Sequence, residues 1–143
     1  MAREAQEAGK SFDGLEILEF SVAGVKMGVD VRQVAEVIDF RCVEERTLTV
    51  ISLPEVMSFG ALEIHYDFPR VLLPRAEGCS FGILVDRLEE ITRFPLDVIS
   101  PLPALLEASV SPRGVIWAVA AIAGEPVLLV DFFALLDFLG PKE

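Results

Sequence analysis

An internal repeat constrains the fold of this chain more than any other feature of its sequence. The stretch GVKMGVDVRQVAEVIDF, which begins at Gly24, aligns with GCSFGILVDRLEEITRF, which begins at Gly78, at an offset of 54 residues. The identical positions are the pairs Gly24/Gly78, Gly28/Gly82, Val31/Val85, Glu36/Glu90 and Phe40/Phe94. At a different offset, VISLPEVM from Val50 resembles LVDFFALL from Leu129. The chain is therefore predicted to contain two copies of one motif.

Each copy has the pattern of short strands joined by tight turns. Apolar and β-branched residues run from Leu15 to Val22 and from Arg70 to Leu73, and a turn containing glycine follows each run. A β-rich hairpin is predicted between Val115 and Val130, and apolar residues at helical spacing follow it. Short strands with frequent turns predict a mainly β fold of small barrels with short helices.

The two copies differ in the length that follows the repeat. Between Phe94 and the strand at Leu128 lie 33 residues, whereas only eight residues, Arg41 to Leu48, precede the matching strand at Thr49. Eight residues are too few for both a loop and a strand that leads into a hairpin. We therefore expect the first barrel to lack one strand, with an exposed edge that the N-terminal tail or another chain covers.

The 143 residues suffice for one domain, and the pattern suggests its divisions. Residues 1–14 have no apolar stretch and are predicted to be a polar tail, not a signal peptide. Residues 15–139 are predicted to be one domain: a first barrel over about 24–68, a second over about 69–131 with exchange of strands, and a short helix over 132–139. The apolar run from Val115 to Ala123 is too short to span a membrane, so a cytoplasmic protein without direct membrane insertion is expected.

Charge excludes some classes of partner. The chain has 23 acidic and 12 basic residues, a net charge of -11, which would repel nucleic acid and an anionic membrane surface. Its content of apolar residues is nevertheless 52%, more than two small cores can bury. Some apolar residues are therefore expected at the barrel ends or on surfaces that bind other proteins.

The candidates for chemistry are few. His65 is the only histidine, and the chain has no G-x-S-x-G or C-x-x-C motif. Cys42 and Cys79 are expected to be reduced, buried thiols, and no metal or cofactor site is predicted. A small hydrolase or ligand sensor that uses His65 with Cys79 or Asp67 stays open as an alternative function.

Three ordered motifs resemble the CheW-like coupling domain of bacterial chemotaxis. They are MGVDVRQVAEV, FGILVDRLEEI followed by DVISPLP, and the closing VLLVDFFALL, and the resemblance extends from about Leu15 to Leu139. It implies two small five-stranded barrels related by a pseudo-twofold axis. It further implies a non-enzymatic adaptor that links the regulatory domain of a CheA-type histidine kinase to the cytoplasmic tips of chemoreceptors in membrane-associated arrays.

The resemblance also implies where partners bind. Carried over by position, Val34 and Glu36 of the first motif would contact receptor and kinase, and Gly82 and Val85 of the second would border the groove between the barrels. Ordinary packing is the alternative for Val34 and Val85, whereas Glu36, an acid within an apolar stripe, is expected to face a partner.

The chain departs from the family at one segment. A glycine and an Asn-Leu-Arg-Gly sequence, whose arginine lies at the family's receptor groove, normally precede the VISL-type strand and are absent here. The open alternatives are kinase binding without receptor, coupling to another sensory system such as surface motility, and an orphan module that forms a homodimer through the open first barrel.

Overall fold

A computed structural model describes residues 14–56, 65–102 and 114–140. Its strands are β1 (Gly14–Val22), β2 (Val25–Asp30), β3 (Val34–Asp39), β4 (Thr49–Ser52), β5 (Pro69–Pro74), β6 (Phe81–Asp86), β7 (Ile91–Pro95), β8 (Ile99–Pro101), β9 (Ile116–Ile122) and β10 (Glu125–Val130). Its helices are α1 (Val43–Arg46), α2 (Leu53–Val56) and α3 (Phe132–Leu139), and single 3₁₀ turns cover Val31–Gln33, Phe40–Cys42 and Leu96–Val98. The predicted mainly β fold with short helices is thus confirmed.

Two hairpins owe their tight turns to left-handed backbone conformations. Ala23 and Gly24, between β1 and β2, have φ of 55° and 81°, and Ala123 and Gly124, between β9 and β10, have φ of 52° and 80°. Two consecutive residues with positive φ match the right-handed twist of the flanking strands. Glycine at the second position of each turn reduces the steric cost of that conformation.

Strand pairing is exchanged between the two copies of the repeat. The β1–β2 hairpin of the first copy pairs with β7 and β10 of the second, while the β5–β6 hairpin of the second pairs with β3 and β4 of the first. We call β3, β4, β5 and β6 lobe 1, and the remaining strands lobe 2. Neither lobe is a continuous stretch of chain, so the ranges 24–68 and 69–131 mark halves of the sequence rather than separate sheets.

The main apolar core contains side chains from both lobes. Phe20 and Met27 of lobe 2 and Leu72 and Ile83 of lobe 1 belong to the same buried cluster, together with Phe132 of α3. A second cluster lies within lobe 2 and contains Ile17, Phe94, Ala118, Ala120, Val127 and Leu129. The first cluster therefore joins the lobes, and the second fills only lobe 2.

Among the described residues, no strand of lobe 1 corresponds to β9. In lobe 2, β9 pairs with β10, the counterpart of β4. In the first copy, residues 40–46 form a 3₁₀ turn and α1 instead, as the short spacing predicts, and no described strand pairs with the second edge of β4. The repeat-related phenylalanines differ accordingly, because Phe94 is completely buried whereas Phe40 is 42% exposed.

This difference predicts unequal effects of two matched substitutions. Phe94→Ala removes a fully buried ring and should lower the free energy of unfolding by about 3–5 kcal/mol. Phe40→Ala removes a ring already in contact with water and should cost less than about 1 kcal/mol. Urea denaturation of both variants measures the difference. Equal losses would contradict an incompletely covered lobe 1.

Candidate interaction surface

Two of the carried-over site residues are core valines. Val85 is completely buried and Val34 is 7% exposed, and both side chains belong to the cluster shared by the lobes. The carbonyl of Val34 accepts a hydrogen bond of 2.9 Å from Nη2 of Arg75, which fixes the start of β3 to the end of β5. Packing, the alternative left open for these valines, is the role that their burial supports.

Gly82 also has a packing role. A Cβ atom at this position would lie 2.4 Å from Cγ1 of Val71, so only glycine allows β6 and the Val71 side chain to approach this closely. Its repeat partner Gly28 has the same relation to Cγ2 of Ile17, again at 2.4 Å. The identity of the two glycines therefore reflects the packing of each lobe, and Gly82 offers no side chain to a partner.

Glu36 is the predicted site residue that the structure places at the surface. It lies on β3, which pairs with β5 on one side. Its carboxylate accepts two hydrogen bonds from Arg46 at the end of α1, Oε1 from Nη2 at 3.0 Å and Oε2 from Nη1 at 3.1 Å. The side-chain hydrogen bonds from Arg46 lower the pKa of Glu36 below its ordinary value.

Exposed apolar side chains follow Glu36 along the chain. Val37 is 40% exposed on β3, and Phe40 lies at the start of the next 3₁₀ turn. We call Glu36, Val37, Phe40 and Arg46 the β3 surface. Aromatic residues and arginine are enriched in protein–protein interfaces, and arginine also in binding hot spots.

A second ion pair holds the turn that carries Phe40. Oδ1 of Asp39 accepts hydrogen bonds from the backbone N of Arg41 at 2.9 Å and from its Nε at 3.2 Å. The side-chain hydrogen bond from Arg41 is the main reason that the pKa of Asp39 falls to about 2. The carboxylate caps the 3₁₀ turn at Phe40–Cys42 and so fixes the backbone of the β3 surface.

Of the alternative catalytic site, the structure brings His65 and Asp67 together, but at a position largely exposed to solvent. Nε2 of His65 lies 3.2 Å from Oδ1 of Asp67, but the His65 side chain is 88% exposed. Cys79 is half-buried, and its sulfur interacts with the backbone of Phe81. Among the described residues, no group of three or more His, Cys, Asp or Glu is placed to hold a metal ion.

Comparison with known families identifies the fold. The model of the CheW-like domain matches residues 42–139, which is more than half of the chain. The chain belongs to the CheW-like domain family. The crystal structure of the scaffolding protein TtCheW from Thermoanaerobacter tengcongensis superimposes with a TM-score of 0.65 and 17% sequence identity, covering 82% of this chain and 89% of that one. No curated protein matches this CheW-like chain in sequence.

Family membership confirms the resemblance found in the sequence motifs. Of the described helices of this CheW-like protein, none is long and apolar enough to cross a membrane. Sequence reasoning missed Arg46 and Val37 as surface residues. The repeat did single out Phe40, but its exposure follows only from the strand missing beside β4.

The Glu36–Arg46 pair makes a prediction that NMR can test. In the folded protein, Arg46→Gln should raise the pKa of Glu36 toward the ordinary glutamate value, because the hydrogen bonds are lost. Folding lowers the pKa of Glu36. The ion pair therefore stabilises the fold when the pH is above the pKa of an unfolded-state glutamate, and this stabilisation is lost as the pH falls through the lower pKa of the folded protein. Carboxyl ¹³C shifts followed during a pH titration measure the change.

Arg41→Gln is the matched control for this titration. It should raise the pKa of Asp39 from about 2 and leave that of Glu36 unchanged, because each arginine pairs with a different carboxylate. If Arg46→Gln leaves the pKa of Glu36 where it is in the parent protein, the ion pair does not form in solution.

Proposed function

We propose that this CheW-like protein is a non-enzymatic signalling adaptor that couples a CheA-type histidine kinase to chemoreceptors or to a related sensory system. The family match over residues 42–139 is the observation that carries the proposal. The likeness in fold to TtCheW, which is described as a scaffolding protein, supports it. The adaptor would work in the cytoplasm, at membrane-associated receptor arrays.

The surface chemistry fits binding to another protein. A net charge of -11 disfavours nucleic acid and anionic lipid, while the β3 surface exposes the Phe40 ring and the Glu36–Arg46 ion pair. Glu36 retains its proposed role as a contact residue, and Phe40, Val37 and Arg46 join it. In this proposal the regulatory domain of the kinase is the main partner.

The receptor contact is the part of the function that the missing segment affects. The family's Asn-Leu-Arg-Gly sequence has no counterpart between Asp39 and Thr49, where α1 lies instead. Arg46 of α1 is already paired with Glu36. We therefore propose kinase binding as the conserved activity, with binding to a receptor tip weaker than kinase binding.

A hydrolase is not proposed. Proton transfer needs a nucleophile within hydrogen-bond reach of the histidine, usually in a site that excludes water. The side chain of His65 is largely in solvent, and among the described residues its recorded partner is Asp67, which also pairs with Arg87 at 3.4 Å. This geometry supports a surface charge cluster rather than a catalytic site.

Calorimetric titration with the regulatory domain of a CheA-type kinase from the same organism tests the proposal. The parent protein should bind, and Glu36→Lys should weaken binding at least about tenfold, because it reverses a contact charge and places two cations together. Glu125→Lys is the matched control, since Glu125 is also an exposed glutamate paired with a cation, Lys26, at 3.2 Å. It should change the affinity less than about twofold.

The same measurement with a receptor tip completes the test. Binding to the kinase domain but weakly to the receptor tip is the expected result. If the folded protein binds neither partner, the adaptor proposal fails. If both glutamate variants weaken kinase binding equally, the β3 surface is not the contact.

A further inference from the structure

Strand β4 has a second edge that no described strand covers. It pairs with β6 in parallel, with Val50 opposite Gly82 and Ile51 opposite Ile83. The backbone N of Thr49 donates a hydrogen bond of 2.9 Å to the carbonyl of Ser80, on the β6 side. Because alternate residues of a strand direct both backbone groups to the same side, Thr49 and Ile51 face β6, and Val50 and Ser52 face the outer edge.

In lobe 2, β9 covers the edge of β10 that corresponds to the uncovered edge of β4, so its side chains indicate which residues fit there. There, β9 pairs antiparallel with β10, with Ala118 opposite Leu129 and Ala120 opposite Val127. These two alanines are completely buried, whereas Trp117 on the other face of β9 is 40% exposed. Strand β9 therefore presents the small side chains of Ala118 and Ala120 inward, opposite Leu129 and Val127, and Trp117 outward.

The internal repeat relates the edge of β10 in lobe 2 to the edge of β4 in lobe 1. Leu129 of β10 lies opposite Gly28, and Val50 of β4 lies opposite Gly82, the repeat partner of Gly28. Leu129 is completely buried under the alanines of β9, but Val50 is only half-buried. The space that β9 fills in lobe 2 is thus left open beside Val50 by the described part of the chain.

We propose that the outer edge of β4 binds an extended segment of a partner protein as an added antiparallel strand, with small apolar side chains at alternate positions facing the interior of lobe 1. Main-chain hydrogen bonds to Val50 and Ser52 hold the segment, and the inward side chains cover Val50 and Phe40. This activity goes beyond the adaptor proposal, and because Phe40 also belongs to the β3 surface, the segment and the kinase domain would contact the same side chain.

Acidic residues near the start of β4 favour a segment with basic residues at its C-terminal end. An antiparallel strand ends near the start of β4, which follows α1 in the chain. Glu44 and Glu45 of that helix are exposed, and its Arg46 is paired with Glu36. Basic residues after the apolar positions complement these two acids. A second copy of this chain carries the same net charge of -11, so long-range repulsion disfavours it as the occupant.

A synthetic peptide provides the probe. It carries the β9 sequence IWAVAAI followed by two lysines and a fluorescent label, and its binding to the full chain is followed by fluorescence anisotropy. Saturable binding is expected. Val50→Lys should weaken it at least about tenfold, whereas Thr49→Lys, on the opposite face of the same strand, should change it less than about twofold. Absence of saturable binding overturns the proposal, as does equal affinity for a folded Val50→Lys protein.

Modified peptides keep the test independent of how the variants fold. N-methylation of the alternate amides that face β4 should abolish binding, while methylation of the other set should preserve it, since strand addition uses only one set of main-chain donors. Replacing the lysines with glutamates should weaken binding. If both methylated peptides bind like the parent peptide, the contact is not an added strand.

The state of the free protein distinguishes the other occupants. By light scattering it should be a monomer, and the amides of Val50 and Ser52 should exchange rapidly with solvent and slowly once the peptide is bound. A dimer that Val50→Lys dissociates would assign the edge to a second copy. Protection of both amides in the free monomer would assign it to another segment of this chain. Either result overturns the proposal.

Discussion

The reciprocal exchange of strands between the two halves of the chain is the constraint on which the rest of the structure depends. Each hairpin finds its outer partners in the other half, so neither half can complete a sheet alone. Side chains reinforce the exchange: Nε2 of Gln33 donates to Oδ1 of Asp131 at 3.1 Å, and the backbone N of Phe132 donates to Oε1 of Gln33 at 2.7 Å. The turn before β3 is thereby tied to the start of α3.

Exchange also explains how lobe 1 tolerates a missing strand. The cluster shared by the lobes includes Leu72 and Ile83 of lobe 1 and Leu53 of the adjoining helix α2. All three side chains are completely buried. That cluster is complete without a counterpart of β9. The missing counterpart of β9 instead affects the part of lobe 1 that carries Val50 and Phe40, whose side chains remain in contact with solvent. Its absence therefore exposes a surface but leaves the shared core covered.

The sequence predicted those features that depend on spacing and repetition. The paired glycines, the hairpins and the short connection after Phe40 all follow from positions along the chain. Burial of Val34 and Val85 could not be predicted, because a valine in a strand fits either face until the partner lobe is known. Likewise, Glu36 and Arg46 lie ten residues apart, and only the conformation of α1 brings their side chains together.

The acidic charge of the chain affects which partners can pair with the uncovered edge of β4. An uncovered strand edge beside apolar side chains favours association between identical molecules, and proteins commonly prevent this with charge near the edge. Here Glu44 and Glu45 lie on the helix before β4, within a chain of net charge -11. Repulsion between copies weakens self-pairing, but it does not oppose a neutral or basic segment. The acidity that disfavours self-pairing therefore leaves the edge of β4 available to a partner of different charge.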